Sequence, residues 1–154
     1  MTQKRTAIVK RVGLGVIAVL IMVGPIAVQQ VRAEEQAPAM CTLATLHGRY
    51  VFDATGYNII SGIAVPKTVV EFLRFDGNGS LTSIATAVVG GNKIADDAHG
   101  TGIYAVNGDC TGTLTFEPSG FTFDLFISPQ GGSFHMIQTV TGQMIAGEAR
   151  RVPR

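Results

Sequence analysis

From Arg49 to Arg151 the chain is a succession of short runs in which apolar and polar residues alternate, each cut off by a glycine-bearing turn. A period of two sends successive side chains to opposite faces, so each run can bury one face and wet the other. Arg49–Ala54 and Thr68–Phe75 alternate in this way. The second runs into Asp76-Gly77-Asn78-Gly79, a strong hairpin signal. Leu81–Val89 stops at Gly90-Gly91, Gly102–Val106 at Asn107-Gly108-Asp109, and Cys110–Glu117 at Pro118-Ser119-Gly120. Phe121–Ile127 ends before Ser128-Pro129-Gln130-Gly131-Gly132, and Ser133–Thr141 meets Gln143–Arg151 at Gly142. This amounts to about eight strands with no helical repeat of any length. Ala39–Leu46 offers one helical turn, and Lys93–Ala98 reads as a loop.

Short sequential connections make neighbouring strands antiparallel. An open sheet of that many strands leaves edges that invite aggregation, whereas closure removes them. The pattern therefore points to an all-β fold, an eight-stranded antiparallel meander barrel, with a two-sheet β-sandwich as the alternative. A barrel of about eight strands is just wide enough to be filled by side chains or to hold one small ligand.

Residues 1–33 belong to a different regime. Lys4, Arg5, Lys10 and Arg11 precede the apolar run Val12–Val28, and Val31-Arg32-Ala33 follows it. A basic start, an apolar middle and a small-residue end make a secretory signal, with cleavage expected after Ala33. The alternative is a retained anchor helix, for which about 17 apolar residues interrupted by Pro25 are at the short limit. The reading is thus signal peptide 1–33, linker 34–40 and a single domain 41–154, exported to the periplasm or the medium. Of the 12 basic residues, five lie in the first 33, while all 11 acidic ones lie beyond, so the mature chain carries a net charge of −4. That balance argues against a nucleic-acid partner, which needs a basic stripe.

Two cysteines, Cys41 and Cys110, remain in the mature chain. In an oxidising compartment they read as one disulfide, the alternative being two separately buried thiols. They are too few for a zinc ribbon, and no histidine stands at finger spacing from them, so neither metal nor cofactor is expected.

Four segments carry a resemblance: Cys41-x-x-Ala44-x-Leu46-x-Gly48-x-Tyr50, Phe75-Asp76-Gly77-Asn78-Gly79, Gly100-Thr101-Gly102-x-Tyr104-x-Val106-Asn107-x-Asp109-Cys110-Thr111-Gly112-Thr113, and Gly147-Glu148-Ala149-Arg150-Arg151. Together they resemble a group of small secreted bacterial proteins of unassigned function, over most of Cys41–Val152. Gly102-Ile103 and Asn107-Gly108 depart from that pattern while keeping its turn chemistry. The resemblance implies, more loosely, a calycin-like or allene-oxide-cyclase-like barrel; fold alone does not imply function.

No Gly-x-Ser-x-Gly, His-Glu-x-x-His or P-loop pattern occurs, so no catalytic motif is found. Asp76-Gly-Asn-Gly79 superficially resembles a calcium loop but lacks the further oxygen ligands, and reads as a turn. Asp109 and Thr111 read as caps of a tight turn beside Cys110. The informative residues are charges inside strands. Glu71 shares its face with Val69, Leu73 and Phe75, and Arg74 takes the other. Glu148 lies with Met144, Ala146 and Arg150, and Asp124 with Thr122 and Phe126. An inward Glu71 must be salt-bridged or be an acid of raised pKa at a pocket. His135 alternates with Phe134, Met136 and Gln138, and reads as a satisfied or solvent-facing histidine, the alternative being a general base.

Three functions follow from these residues. The first is a barrel binding a small apolar molecule, with Arg74, Phe123, Phe134, Met136 and Glu148 as candidate contacts. The second is a cyclase-like enzyme using Glu71 or His135 as acid or base. The third is a structural or interaction module of the envelope.

Overall fold

Three tight two-residue or Asx turns set the first hairpins of the barrel. Ser61 and Gly62 both adopt positive φ (51° and 80°), as do Gly90 and Gly91 (56° and 82°). That pair of conformations twists a two-residue loop in the same hand as the strands it joins. Between them, Asp76 folds its carboxylate back onto the backbone N–H groups of Asn78 (2.7 Å) and Ser80 (2.9 Å). The Asp76-Gly-Asn-Gly79 segment is therefore a turn, with its carboxylate oxygen committed to backbone donors.

The computed structural model describes residues 40–153; the expected signal peptide, 1–33, and residues 34–39 of the expected linker lie outside the described residues. The strands are β1 (His47–Ile60), β2 (Ile63–Asp76), β3 (Ser80–Val89), β4 (Asn92–Val106), β5 (Thr111–Glu117), β6 (Thr122–Ile127), β7 (Ser133–Gln138) and β8 (Gln143–Arg151). Each pairs antiparallel with the next, and β8 pairs back onto β1, closing an eight-stranded meander barrel. The sandwich alternative is thereby replaced by closure. Among the described residues no helix is long and apolar enough to cross a membrane.

Two segments differ from the sequence reading. β1 and β2 run to the Ser61-Gly62 turn, well past the alternating runs 49–54 and 68–75. The stretch Lys93–Ala98 is strand, not loop. Its pairing with β3 shifts register on both sides of Ala87, so that β4 carries the extra residues, and Asp97 adopts φ 45°. Such bulges break the period of two while keeping the strand in the sheet, which is why the alternation vanishes there.

One end of the barrel is closed. Leu43–Thr45 forms a single 3-10 turn that brings Leu46 over the lumen, fully buried. The Tyr104 hydroxyl meets the carbonyls of Leu43 and Leu46, both at 3.1 Å. Cys41 is bonded to Cys110, Cα–Cα 5.0 Å, tying this turn to the β4–β5 loop. In that loop Asp109 accepts from the Thr111 N–H (3.0 Å) and hydroxyl (2.7 Å), the capping role expected of it. Above the floor lies a layer of edge-to-face aromatic rings, Tyr50, Phe75, Phe134 and Tyr104, with centroids 4.9–5.6 Å apart. Phe52, Leu73, Leu114, Leu125 and Met136 fill the space around it.

Tyr50 ties the floor together. Its hydroxyl donates to the Gly131 carbonyl (2.7 Å) and accepts from Arg151 Nη2 (2.8 Å), which also donates to the Thr45 carbonyl (3.1 Å). Gly131 has φ +63°, and a Cβ there would stand 2.0 Å from the Thr45 oxygen, so only glycine fits this close approach. Removing the hydroxyl strands a buried carbonyl, so Tyr50→Phe is expected to cost about 2 kcal/mol. Urea unfolding checks this: the midpoint falls at constant slope, and an unchanged midpoint contradicts it.

Candidate functional site

The other end of the barrel is built differently. There the inward positions of β2 are Lys67, Val69 and Glu71, and those of β3 and β4 are Ser83, Ala85, Ala87, Ala95, Ala98 and Gly100. Alanines and a glycine line this wall where phenylalanines and leucines fill the closed half. Ala98, paired with Ala85, is exposed although it faces the lumen, and Ala95, Val65, Lys67 and Val69 are half-buried. Inward residues that touch solvent define a funnel. β1–β4 are also longer than β5–β8, so the wall of the funnel rises on one side.

The depth of the funnel holds Glu71, Ser83 and Gln138, each 5–7% exposed. Burial pushes the Glu71 carboxyl up to about 7, against the opposing effect of its hydrogen bond with Ser83. No ion pair reaches it among the described residues, whose salt bridges are Lys93–Asp96 and Glu148–Arg150. Glu71 thus takes the raised-pKa course of the two foreseen for an inward carboxyl. Two amide oxygens, Gln138 Oε1 and Asn58 Oδ1, are buried without a hydrogen-bond partner. Native interiors leave few polar atoms in that state, and each costs about 1–3 kcal/mol.

Lys67 bars the mouth. Its ammonium donates to Gln143 Oε1 (3.0 Å) and lies 5.7 Å from the centre of the Phe121 ring, which belongs to the β5–β6 connection across the barrel. Partial burial lowers its pKa. Lys67 and Glu71 are four residues apart on one strand, about 13 Å along it, so the lysine serves the rim and leaves the carboxyl alone.

The sequence candidates divide sharply. Glu71 faces inward together with Val69, Leu73 and Phe75, the residues with which alternation groups it, and Phe123 lies in the upper lumen with its ring against Phe116, centroids 5.9 Å apart. Phe134 and Met136 face inward too, but at 1% exposure they belong to the packed closed half and are no ligand contacts. Arg74 lies on the outer wall opposite Arg49, because its neighbours Leu73 and Phe75 take the lumen. Glu148 also lies outside, paired with Arg150 at 2.7 Å, which holds its carboxyl below the usual range. His135 is exposed on the outer wall between Phe126 and Glu148, since Phe134 and Met136 claim the inner face of β7. The lumen contacts Lys67, Ser83, Gln138 and Asn58 were missed; the inward parity of Glu71 and Met136, extended along their strands, would have found Lys67 and Gln138.

Two concavities lie on the outer wall. One, of about 580 Å³ near the rim, is lined by Tyr57, Pro66, Lys67, Val88 and Met144; the other, of about 1270 Å³, lies by His47, Arg49, Arg74 and Thr82. Neither contains a buried polar atom lacking a partner. The lumen does, and it is there that the site is placed.

No family model and no curated protein matches the chain. Among solved structures it is similar to a fluorescence-activating β-barrel designed de novo, at 15% identity and a TM-score of 0.48, over 73% of this chain and all of that one. It is also similar to a redesigned β-barrel, at 18% identity and a TM-score of 0.42, over 75% of this chain and 99% of that one. The shared feature is the closed barrel.

Proposed function

We propose that this is an exported binding protein that takes one small, largely apolar molecule into the funnel at the open end of its barrel. The carrying observation is the contrast between the two halves of one lumen: a floor packed with aromatic rings, and above it a wall of alanines partly open to solvent, over a buried carboxyl that no cation reaches among the described residues. Small-molecule sites are typically concave and apolar with a few convergent polar groups, which is the composition of this funnel. The apolar contacts are Val69, Ala87, Phe116 and Phe123. Entry requires the Lys67 side chain to swing aside, a side-chain rotation that leaves the strands in place. Export is supported by the signal-like residues 1–33, and the disulfide fits an oxidising compartment. A cyclase-like reaction keeps only Glu71 of its two candidate groups, since His135 faces solvent.

The test uses N-phenyl-1-naphthylamine, whose fluorescence rises in apolar surroundings, as a neutral probe. One-to-one binding is expected, and Ala98→Trp, which fills the funnel wall, is expected to weaken it at least tenfold. Binding that survives Ala98→Trp but is lost in Met144→Ser would move the site to the outer concavity at the rim and overturn the reading.

A further inference from the structure

We propose that the polar group recognised at the bottom of the funnel is an amine, so that the ligand is a small organic cation with an apolar tail. This rests on the funnel being the binding site and adds its ligand class. Of the lumen groups in the open half, the Ser83 hydroxyl is engaged with Glu71, and the Lys67 ammonium with Gln143 at the rim. What remains is Gln138 Oε1, buried without a donor, and the Glu71 carboxyl, which no cation reaches among the described residues; Asn58 Oδ1, the other buried oxygen without a donor, lies at the rim, opposite Val65 and past Lys67. Glu71 and Gln138 are each more than nine-tenths buried, so bulk water does not satisfy them freely.

An ammonium group brings three donors and one positive charge to this place. The charge matters as much as the hydrogen bonds, because a buried carboxylate with no cation is strongly disfavoured and a paired one is not. An alcohol supplies a single donor and no charge. A carboxylate ligand supplies neither and would meet Glu71 head on. The other charged groups facing the lumen do not change this choice. Lys67 stands at the rim about 13 Å up the same strand, and Arg151 is held beneath the aromatic layer by Tyr50 and Thr45. Tyr50 and Tyr104 are bound to backbone carbonyls of the floor. The tail of the ligand would lie along Val69, Ala87, Phe116 and Phe123, with room beside Ala95 and Ala98.

Hexylamine, 1-hexanol and hexanoate, matched in length, are to be competed against N-phenyl-1-naphthylamine at pH 8. Hexylamine is expected to displace the probe at least tenfold more effectively than hexanol, with hexanoate weakest. Glu71→Gln is expected to bring the amine-to-alcohol ratio close to one, whatever it does to the probe itself. Gln138→Leu is expected to reduce that ratio severalfold, and near-ultraviolet circular dichroism checks that both variants keep the fold. If amine and alcohol displace the probe equally, or hexanoate displaces it best, the amine assignment is overturned while the funnel stands. If the probe does not bind at all, the funnel reading fails first.

Discussion

Replacing Cys41 and Cys110 by serine will lower the unfolding free energy by about 4 kcal/mol and the melting temperature by roughly 15 °C. The two cysteines are 69 residues apart, so the bond closes a loop that spans β1 to β4. Its main effect is on the unfolded chain, which loses the freedom of that loop. A local effect comes on top. The segment from Cys41 to Leu46 is otherwise held over the barrel floor by the Cys41–Gly108 and Tyr104 hydrogen bonds, the Arg151 contact, the burial of Leu46 and the packing of Leu43 against the core. Cys110 itself sits at φ 67°, a left-handed conformation unusual for a residue with a side chain. Hydrogen exchange should therefore quicken first at Leu46 and Tyr104, before the β5–β8 core. Equal protection of the floor in the oxidised protein and the serine variant would show that the turn docks without the bond.

The pattern that made the fold legible is local, and so are its failures. Glycine and asparagine at tight turns, with a period of two between them, specify an antiparallel meander because each hairpin is decided within about ten residues. Closure is not local, yet it follows once the number of strands and the absence of a covering helix are known. Reading fails where a strand departs from its own period. Asp96 and Asp97 look like loop residues, but they are bulged residues of β4, and Tyr57-Asn58-Ile59-Ile60 has no alternation because both of its faces are exposed to some degree beyond the rim.

The candidate site was half legible for the same reason. Parity placed Glu71 among Val69, Leu73 and Phe75, and the structure puts all four inside. Parity says which side chains share a face, but not which face is the lumen, and for β7 and β8 the choice falls against His135 and Glu148. Nor does it say how far up the lumen a residue lies. Phe134 and Glu71 are both inward, and only the three-dimensional stacking puts one in the packed half and the other under the funnel. A composition rich in phenylalanine suggested a greasy centre; that centre is the floor, and the polar residues above it give the funnel its chemistry.

Stability of the wild-type protein should fall as pH rises from about 4.5 to about 7, and Glu71→Gln should remove that fall. Unfolded, Glu71 has the ordinary value of 4.5; folded, burial holds it at about 7. Between those two values the folded state keeps a proton that the unfolded chain has released, so raising the pH favours unfolding. The contribution is therefore whole below about 4.5 and lost as pH rises through about 7, and beyond that it stays lost. The gap between the two values corresponds to about 3 kcal/mol. Glutamine has the shape of the protonated acid and no charge to lose, so the variant should match the wild type near pH 4.5 and exceed it by up to about 3 kcal/mol at pH 8. Asp76 and Asp109 work in the opposite sense, since backbone donors lower the Asp76 carboxyl and Thr111 lowers that of Asp109. They stay the same in both proteins and cancel in the difference between the two curves. That difference, measured by urea unfolding at intervals from pH 4 to pH 8, is the quantity to follow. A flat difference would mean that the Glu71 carboxylate is already compensated in the folded protein, and the unpaired acid on which the funnel chemistry rests would be gone.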